Sequence, residues 1–158
     1  MTSANFDHVA LPCFDVRATH RFYGTILGWP LVFAQSGRAE TWCDGDYLLL
    51  AYRLPDGSCL DFFAYDGISR PAPDGLPKDI RHIAIAVPKR DDVMVVKKQL
   101  ENAKVALWEE IHEVDDLHVY ATDPNGVVIE FVAQEDGSRA RASDVAAAKD
   151  TLERWLAR

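Results

Sequence analysis

Cysteine, positive charge and long apolar runs are all scarce in this chain of 158 residues. Its three cysteines, Cys13, Cys43 and Cys59, are an odd number without C-x-x-C spacing, which argues against a disulfide framework and against a zinc knuckle. No apolar run approaches the roughly 18 residues that cross a membrane, and the first residues lack the basic and apolar segments of a secretory signal. We therefore expect a cytoplasmic protein without membrane association.

The scarcity of positive charge argues against partners that are themselves negatively charged. Lys and Arg number 17 against 25 Asp and Glu, and the net charge of −8 at pH 7 has the wrong sign for binding a phosphate backbone. We therefore expect neither nucleic acid nor an anionic membrane as a partner. The hydrophobic fraction of 48% is that of an ordinary globular protein, and a chain of this length can fold as one domain without disulfides or a structural metal.

What the chain does contain is an internal repeat. The segment FDHVALP at residues 6–12 is echoed by IRHIAIAVP at residues 80–88, and His8 and His82 hold equivalent places in the two copies. Both segments are rich in β-branched residues and end at proline, which cannot donate to a strand ladder. Each copy is therefore predicted to be a strand that ends at its proline.

Each half of the chain continues with one helix and three more strands. Capping residues and apolar periodicity predict helices from Asp15 to Gly28 and from Asp91 or Asp92 to Leu100. The predicted strands are Leu31–Gln35, Tyr47–Arg53, Cys59–Tyr65, Ala106–Glu113, His118–Thr122 and Val127–Ala133. The resulting segments are a first βαβββ module over 5–66, a linker over 67–78, a second βαβββ module over 79–134 and an amphipathic helix over 143–157.

Three residues of these strands favour metal chemistry. Since residues two apart share one face of a strand, His8, His82 and Glu130 each lie among apolar neighbours. A buried imidazole or carboxylate is costly unless it is paired or bound to a metal. Two histidines and one carboxylate are the donors of an open site for Fe(II) or a similar ion. The alternative is a non-catalytic scaffold in which the three side chains only hydrogen-bond to one another.

The order of these features resembles the vicinal oxygen chelate superfamily, which includes glyoxalase I, extradiol dioxygenases and bleomycin-binding proteins. The resemblance covers residues 5–134 and rests on the two modules, the histidine of each first strand and the DPNG turn at 123–126. It implies an α+β fold whose modules pair into an incomplete, mostly antiparallel barrel with a central cleft. It also implies the ligands of a divalent metal: His8, His82, Glu130 and, as a fourth candidate, Asp61.

A finer resemblance concerns the reaction. The spacing of His112, Tyr120 and Glu130 is similar to the extradiol dioxygenase signature, which implies catalytic roles for His112 and Tyr120 beside Fe(II). Mn(II), Ni(II) and Zn(II) are the other candidate ions. Extradiol enzymes carry a further histidine upstream of the second ligand strand, whereas this chain has none between His20 and His82. That absence counts against catechol ring cleavage. His112, Tyr120 and a count of three protein ligands still favour oxygenase chemistry on a small molecule that chelates the metal through two oxygens, with a glyoxalase-type lyase or isomerase as the alternative.

Two further points stay open at the level of sequence. Direct ligation of the metal by Asp61 favours the lyase, an Asp61 turned aside favours the dioxygenase, and a metal-free binding protein of the antibiotic-resistance kind is a third possibility. Superfamily members are commonly dimers, so the resemblance implies a homodimer. His8 and Glu130 of one site then come from one chain or from two.

Overall fold

Two four-stranded sheets, each with a helical segment packed on one face, make up the body of the protein in its computed structural model. The structure describes residues 4–77, 80–111, 117–133 and 142–158, the last range by its backbone alone up to residue 146.

The elements follow one another in the order that the repeat predicts. The first module contains β1 (His8–Pro12), α1 (Val16–His20) with a π-helical continuation (Arg21–Ile26), β2 (Leu31–Ala39), β3 (Gly45–Arg53) and β4 (Cys59–Tyr65). The second contains β5 (His82–Val87), α2 (Arg90–Asn102), β6 (Leu107–Ile111), β7 (Leu117–Thr122) and β8 (Val128–Ala133). The helix α3 (Ala142–Leu156) follows the second module.

The two sheets have the same topology. Their strand orders are β1-β4-β3-β2 and β5-β8-β7-β6, and in each sheet the first listed pair is parallel while the other pairs are antiparallel. Among the strands that the structure describes, hydrogen bonding does not join one sheet to the other, so no closed barrel forms. The α+β fold of two repeated modules with mostly antiparallel, open sheets is confirmed.

Local chemistry explains the limits of the first helix. The backbone N–H of Ala18 donates to Oδ1 of Asp15 at 2.8 Å, which makes Asp15 the N-cap that the sequence predicts. At the other end, Gly28 has a φ of 72°, a left-handed conformation that glycine adopts without steric cost. The predicted helix from Asp15 to Gly28 is therefore correct, apart from its π-helical second half.

The strand β2 is longer than its sequence predicts. The predicted stretch ends at Gln35, whereas β2 pairs with β3 as far as Ala39 opposite Gly45. Residues 36–38 are Ser, Gly and Arg, so they carry no apolar alternation, and only the pairing with β3 makes them a strand. In the second module, the stretch predicted to reach Glu113 is described only as far as Ile111.

Each sheet has one face covered by its helix and one face that carries the candidate site residues. In the first module, Leu60 and Phe62 of β4 are buried, and the ring of Phe62 lies 4.6 Å from that of Tyr23 between centroids. In the second, α2 lies against β7 and β8. We call the opposite surfaces face A and face B. Face A contains His8, Ala10, Leu49, Ala51, Asp61 and Phe63; face B contains His82, Ala84, His118, Tyr120 and Glu130.

A buried polar network joins the two modules. The hydroxyl of Tyr23 donates to Oδ2 of Asp123 at 2.9 Å, and the backbone N–H of Phe14 donates to Oδ1 of Asn125 at 2.9 Å. The side-chain amide of Asn125 donates in turn to Thr19 Oγ1 at 3.0 Å. Burial raises the pKa of Asp123 and raises that of Tyr23 well above its usual range. The DPNG turn of the second module is thus anchored to the helix of the first.

The helix α3 exposes its apolar stripe. Leu152, Trp155 and Leu156 are exposed by 57%, 63% and 75%. The described residues of a single chain therefore leave this apolar stripe uncovered. Among those residues, no helix has the length and apolar character that crossing a membrane requires.

Candidate functional site

Glu130 is the centre of face B. It is 1% exposed, and its Oε2 lies 2.8 Å from Nε2 of His82 while its Oε1 hydrogen-bonds to Nδ1 of His118. The strands impose this arrangement, because Glu130 lies between Ala84 of β5 and Tyr120 of β7 in the ladder. One buried carboxylate therefore bridges two imidazoles.

His118 is a further residue of this cluster, beyond the predicted ligands and the predicted catalytic residues. It lies two residues before Tyr120 on β7, so both side chains point to face B. Its side chain is nearly as buried as that of Glu130, at 3% exposure. The sequence predicts this orientation of His118, since a histidine and a tyrosine two residues apart on a strand share a face.

Tyr120 lies beside the same cluster. Its ring stacks on Trp108, with 5.2 Å between centroids and an interplanar angle of 9°, and meets the ring of His82 edge-on at 6.0 Å. The side chain is 4% exposed, so the stacking leaves it little freedom to reorient. The second predicted catalytic residue, His112, lies outside the described residues.

Face A presents the other predicted histidine. His8 is half exposed, and its Nδ1 hydrogen-bonds to Oδ2 of Asp7 at 2.7 Å. This bond, followed by the negative charge of Asp61, raises the pKa of His8. Metal-binding histidines commonly donate a hydrogen bond from one ring nitrogen to a carboxylate. This bond orients the other ring nitrogen toward the metal.

Asp61 points to face A at the register position of Glu130 in face B. It lies opposite Ala10 and Ala51, in the place that Glu130 takes opposite Ala84 and Tyr120. Its Oδ1 is buried, and no hydrogen-bond partner for it exists among the described residues. A buried carboxylate oxygen without a partner is costly, so this atom suits a bound cation or its water.

The predicted ligands are thus arranged as two pairs. The structure brings His82 and Glu130 into contact and places His8 within the electrostatic reach of Asp61. Within the part of one chain that the structure describes, no group of three or more His, Cys, Asp or Glu side chains converges on a possible metal position. The predicted ligands of a single chain therefore form two candidate half-sites, His8 with Asp61 on face A and His82 with Glu130 on face B.

The donors of face B have a spacing that suits a metal ion. Neighbouring ligands on an ion with bonds of about 2.1 Å lie about 3 Å apart, close to the 2.8 Å between His82 Nε2 and Glu130 Oε2. Imidazole nitrogen and carboxylate oxygen are also the donor types that Zn, Mn, Fe and Ni accept. The donor atoms of both half-sites are of types that bind divalent ions. Neither half-site alone supplies all four donors.

Solved structures with the same fold come from several proteins. A glyoxylase/bleomycin resistance protein/dioxygenase domain from Frankia sp. EAN1pec is 22% identical, with 84% of this chain and 98% of that chain covered and a TM-score of 0.64. Lactoylglutathione lyase from Agrobacterium tumefaciens is 18% identical, with 84% and 96% covered and a TM-score of 0.60. The oxidase ChaP-H2 is 23% identical, with 89% and 100% covered and a TM-score of 0.59. At these identities the likeness concerns the fold.

The sequence itself identifies the family. No curated protein matches the chain. The profile of the Glyoxalase/Bleomycin resistance protein/Dioxygenase superfamily matches residues 5–131, which include the first module, all but the end of the last strand of the second module and all four residues of the two half-sites. Members of this superfamily commonly use divalent metals, bind small molecules and often form dimers. The chain belongs to the Glyoxalase/Bleomycin resistance protein/Dioxygenase superfamily.

Proposed function

We propose that the protein is a metal-dependent enzyme of the glyoxalase type, a lyase or isomerase, which acts on a small molecule with two neighbouring oxygen atoms. Its site forms where face A of one copy meets face B of a second copy. One observation carries this proposal: Asp61 takes the place in face A that Glu130 takes in face B. The two faces together supply His8, Asp61, His82 and Glu130.

The direction of Asp61 favours a lyase or isomerase over an oxygenase. With Asp61 as a ligand, the protein supplies four donors, whereas O2 activation at Fe(II) uses two histidines and one carboxylate and leaves more positions open. The set of two imidazoles and two carboxylates suits Zn(II), Ni(II), Mn(II) or Fe(II). When bound, such an ion supplies Lewis-acid stabilisation of negative charge on the oxygens of the substrate.

The residues of face B suit proton transfer at a carbon beside a carbonyl group. Glu130 takes the proton as the carbon–hydrogen bond breaks, and the electron pair moves onto the carbonyl oxygen. Returning the proton to the neighbouring carbon completes an isomerisation without any other reactant if the first carbon carries a hydroxyl group: that hydroxyl becomes a carbonyl, and its proton passes to the former carbonyl oxygen. His118 holds Glu130 in position through its hydrogen bond, and Tyr120 lies beside Glu130 on the same face.

Face A is open in the single chain, which supports assembly from two copies. Phe6 and Phe33 are exposed by 65% and 49%, and Ala10 is exposed beside them. A second copy that covers this apolar surface removes it from water, and two-fold symmetry makes two equal sites at once. In this arrangement face B of each copy lies over face A of the other.

A dioxygenase is the second candidate, and Tyr120 favours it. Its ring lies edge-on to His82, within the group of buried polar side chains around Glu130. This is the position in which a phenol can contact a substrate beside a metal held by His8, His82 and Glu130. Fe(II) is the ion that this function requires, and Asp61 is then not a ligand.

Elemental analysis of protein purified without chelators or a metal-affinity tag tests the proposal. We expect about one divalent ion per chain in the parent and its loss in His82→Ala. His20→Gln is the matched control, since His20 hydrogen-bonds to Tyr52 and belongs to neither face. Fe in the parent favours the dioxygenase. Absence of metal after anaerobic addition of Fe(II), Mn(II), Ni(II) and Zn(II) overturns both functions in favour of a metal-free binding protein.

A further inference from the structure

A cavity of about 550 Å³ lies at one end of face A. Its walls include Gln35, Leu49 and Phe63, which are cross-strand neighbours on β2, β3 and β4 and therefore share one face of the sheet. Along β4, the next residue on that face before Phe63 is Asp61, about 7 Å away at the rise of an extended strand. The cavity thus lies on the same face of the sheet as the half-site that contains His8 and Asp61, next to it along β4.

The cavity is lined by aromatic rings. Trp42, in the connection between β2 and β3, packs against Tyr47 at 5.4 Å, Tyr65 at 5.5 Å and Phe63 at 6.3 Å between centroids. Three rings hold the indole in place, yet Trp42 remains 52% exposed. An indole that is oriented by its neighbours and open to solvent offers a fixed stacking surface to a planar ring.

The position of Tyr47 depends on a glycine in the facing strand. A Cβ on Gly37 would lie 3.2 Å from Cε1 and 3.3 Å from the hydroxyl of Tyr47, so the ring lies over the backbone where a side chain would stand. The hydroxyl of Tyr47 accepts a hydrogen bond from the amide of Gln35 at 3.1 Å. The ring of Tyr47 is therefore a flat wall of the cavity, and its hydroxyl group gives that wall a polar edge.

The charges at the rim disfavour an anionic ligand. Arg38 lines the cavity, but it pairs with Asp44 at 3.4 Å and with Asp46 at 4.0 Å. Glu40, also in the lining, adds a further negative charge. A carboxylate or phosphate on the ligand would compete with these acids for one guanidinium, whereas a neutral ring meets no such cost.

We infer that this cavity is a binding subsite for a neutral, planar aryl group, which stacks on Trp42 while the rest of the molecule extends toward Asp61. The inference that the cavity belongs to a substrate site rests on the proposed function. The inference that it prefers an aryl group rests on Trp42, Tyr47 and Phe63 alone. The substrate is accordingly an aryl-substituted compound, and Trp42 determines specificity for it.

Calorimetric titration of metal-free protein with 2-naphthol tests the subsite, and the saturated analogue decahydro-2-naphthol is the matched control ligand. We expect 2-naphthol to bind with at least about tenfold higher affinity than the analogue, because stacking adds to the apolar contact that both ligands make. Trp42→Ala should weaken binding by about tenfold or more, and Trp42→Phe by no more than about threefold. Trp155→Ala, which removes an exposed tryptophan of α3, should leave the affinity unchanged.

The outcomes separate this inference from the proposed function. Equal affinity for the two ligands, no binding of 2-naphthol, or full affinity in Trp42→Ala overturns the aryl subsite. Circular dichroism of each variant identifies a loss of fold, and Trp42→Phe, which keeps a ring in place, gives a second test. A parent that binds metal but not 2-naphthol refutes the subsite alone; a parent that binds 2-naphthol but no metal refutes the proposed enzyme alone.

Discussion

Asp61 and Glu130 occupy the same position in the two sheets of the protein. Asp61 is the neighbour of Ala10 across a parallel strand pair, and Glu130 is the neighbour of Ala84 in the same way. The repeat of the sequence is therefore carried into the register of the strands. Both carboxylates point away from the helices, and each shares its face with the histidine of the first strand of its module.

The surroundings of the two carboxylates differ. Glu130 is bridged by two imidazoles, whereas Leu49 holds the place in face A that His118 holds in face B. Leucine cannot donate a hydrogen bond, which explains why Oδ1 of Asp61 has no partner among the described residues. The asymmetry leaves Oδ1 of Asp61 available for a ligand that the described residues do not supply.

Removing the charge of Asp61 should weaken metal binding. We expect Asp61→Asn to lower the affinity for a divalent ion by at least about tenfold, and Glu130→Gln to lower it more, since that change also disturbs the contacts of Glu130 with His82 and His118. Competition with a chromophoric chelator measures both. Asp46→Asn, at an exposed acid of β3, is the control. Unchanged affinity in Asp61→Asn would show that His8, His82 and Glu130 suffice to bind the ion. The dioxygenase would then be the favoured function.

A site shared between two chains should be restored by mixing two defective variants. His8→Ala and His82→Ala each remove one donor from every site of their own homodimer. In a mixed dimer, one of the two sites receives the intact His8 of one chain and the intact His82 of the other. We therefore expect random subunit exchange to restore about a quarter of the metal sites, as measured by elemental analysis after gel filtration. If each site forms within one chain, mixing restores none.

The contact between the modules should contribute to stability. Tyr23→Phe removes the hydroxyl that donates to Asp123 and leaves a buried carboxylate with one donor fewer. We expect a loss of about 1–3 kcal/mol in the free energy of unfolding, as measured with urea. Tyr47→Phe removes an exposed hydrogen bond to Gln35 and should cost less than about 0.5 kcal/mol. Equal losses of unfolding free energy in the two variants would show that the buried hydrogen bond contributes no more to stability than the exposed one.

Burial of Asp123 should make stability depend on pH. Because its pKa in the folded protein lies above the ordinary value of 3.8, the folded state keeps the proton at pH values where the unfolded chain has lost it. The contribution of Asp123 to the free energy of unfolding is therefore greatest below pH 3.8 and declines as the pH rises through the raised pKa. We expect the stability of the parent relative to Asp123→Asn to fall accordingly as the pH rises above 3.8. A difference that grows with pH would mean that the hydrogen bonds to Asp123 outweigh its burial.

Features that depend on local pattern could be read from the sequence. The alternation of side chains along a strand has a period of two, so the placement of His8, His82 and Glu130 on strands predicts which neighbours share their faces. The cap at Asp15 and the left-handed Gly28 follow equally from residue type. The repeat then predicts that both modules have the same order of elements, and the structure has that order.

Features that depend on contacts between distant residues appeared only in the tertiary structure. The extension of β2 to Ala39 requires β3 as its partner, and the bridge between His118 and Glu130 requires two strands in one register. The aromatic cavity at Trp42 likewise joins three strands with a connection that has no periodicity of its own.

The sequence by itself thus determined the two modules, the direction of their strand residues and the types of donor on them, because these depend on residue chemistry and short-range geometry. The tertiary structure decided that the donors stand as two pairs on separate sheets and that Asp61 points with His8 to an open face. The physical reason is that packing between sheets is set by long-range contacts. No local pattern encodes where one sheet lies relative to the other.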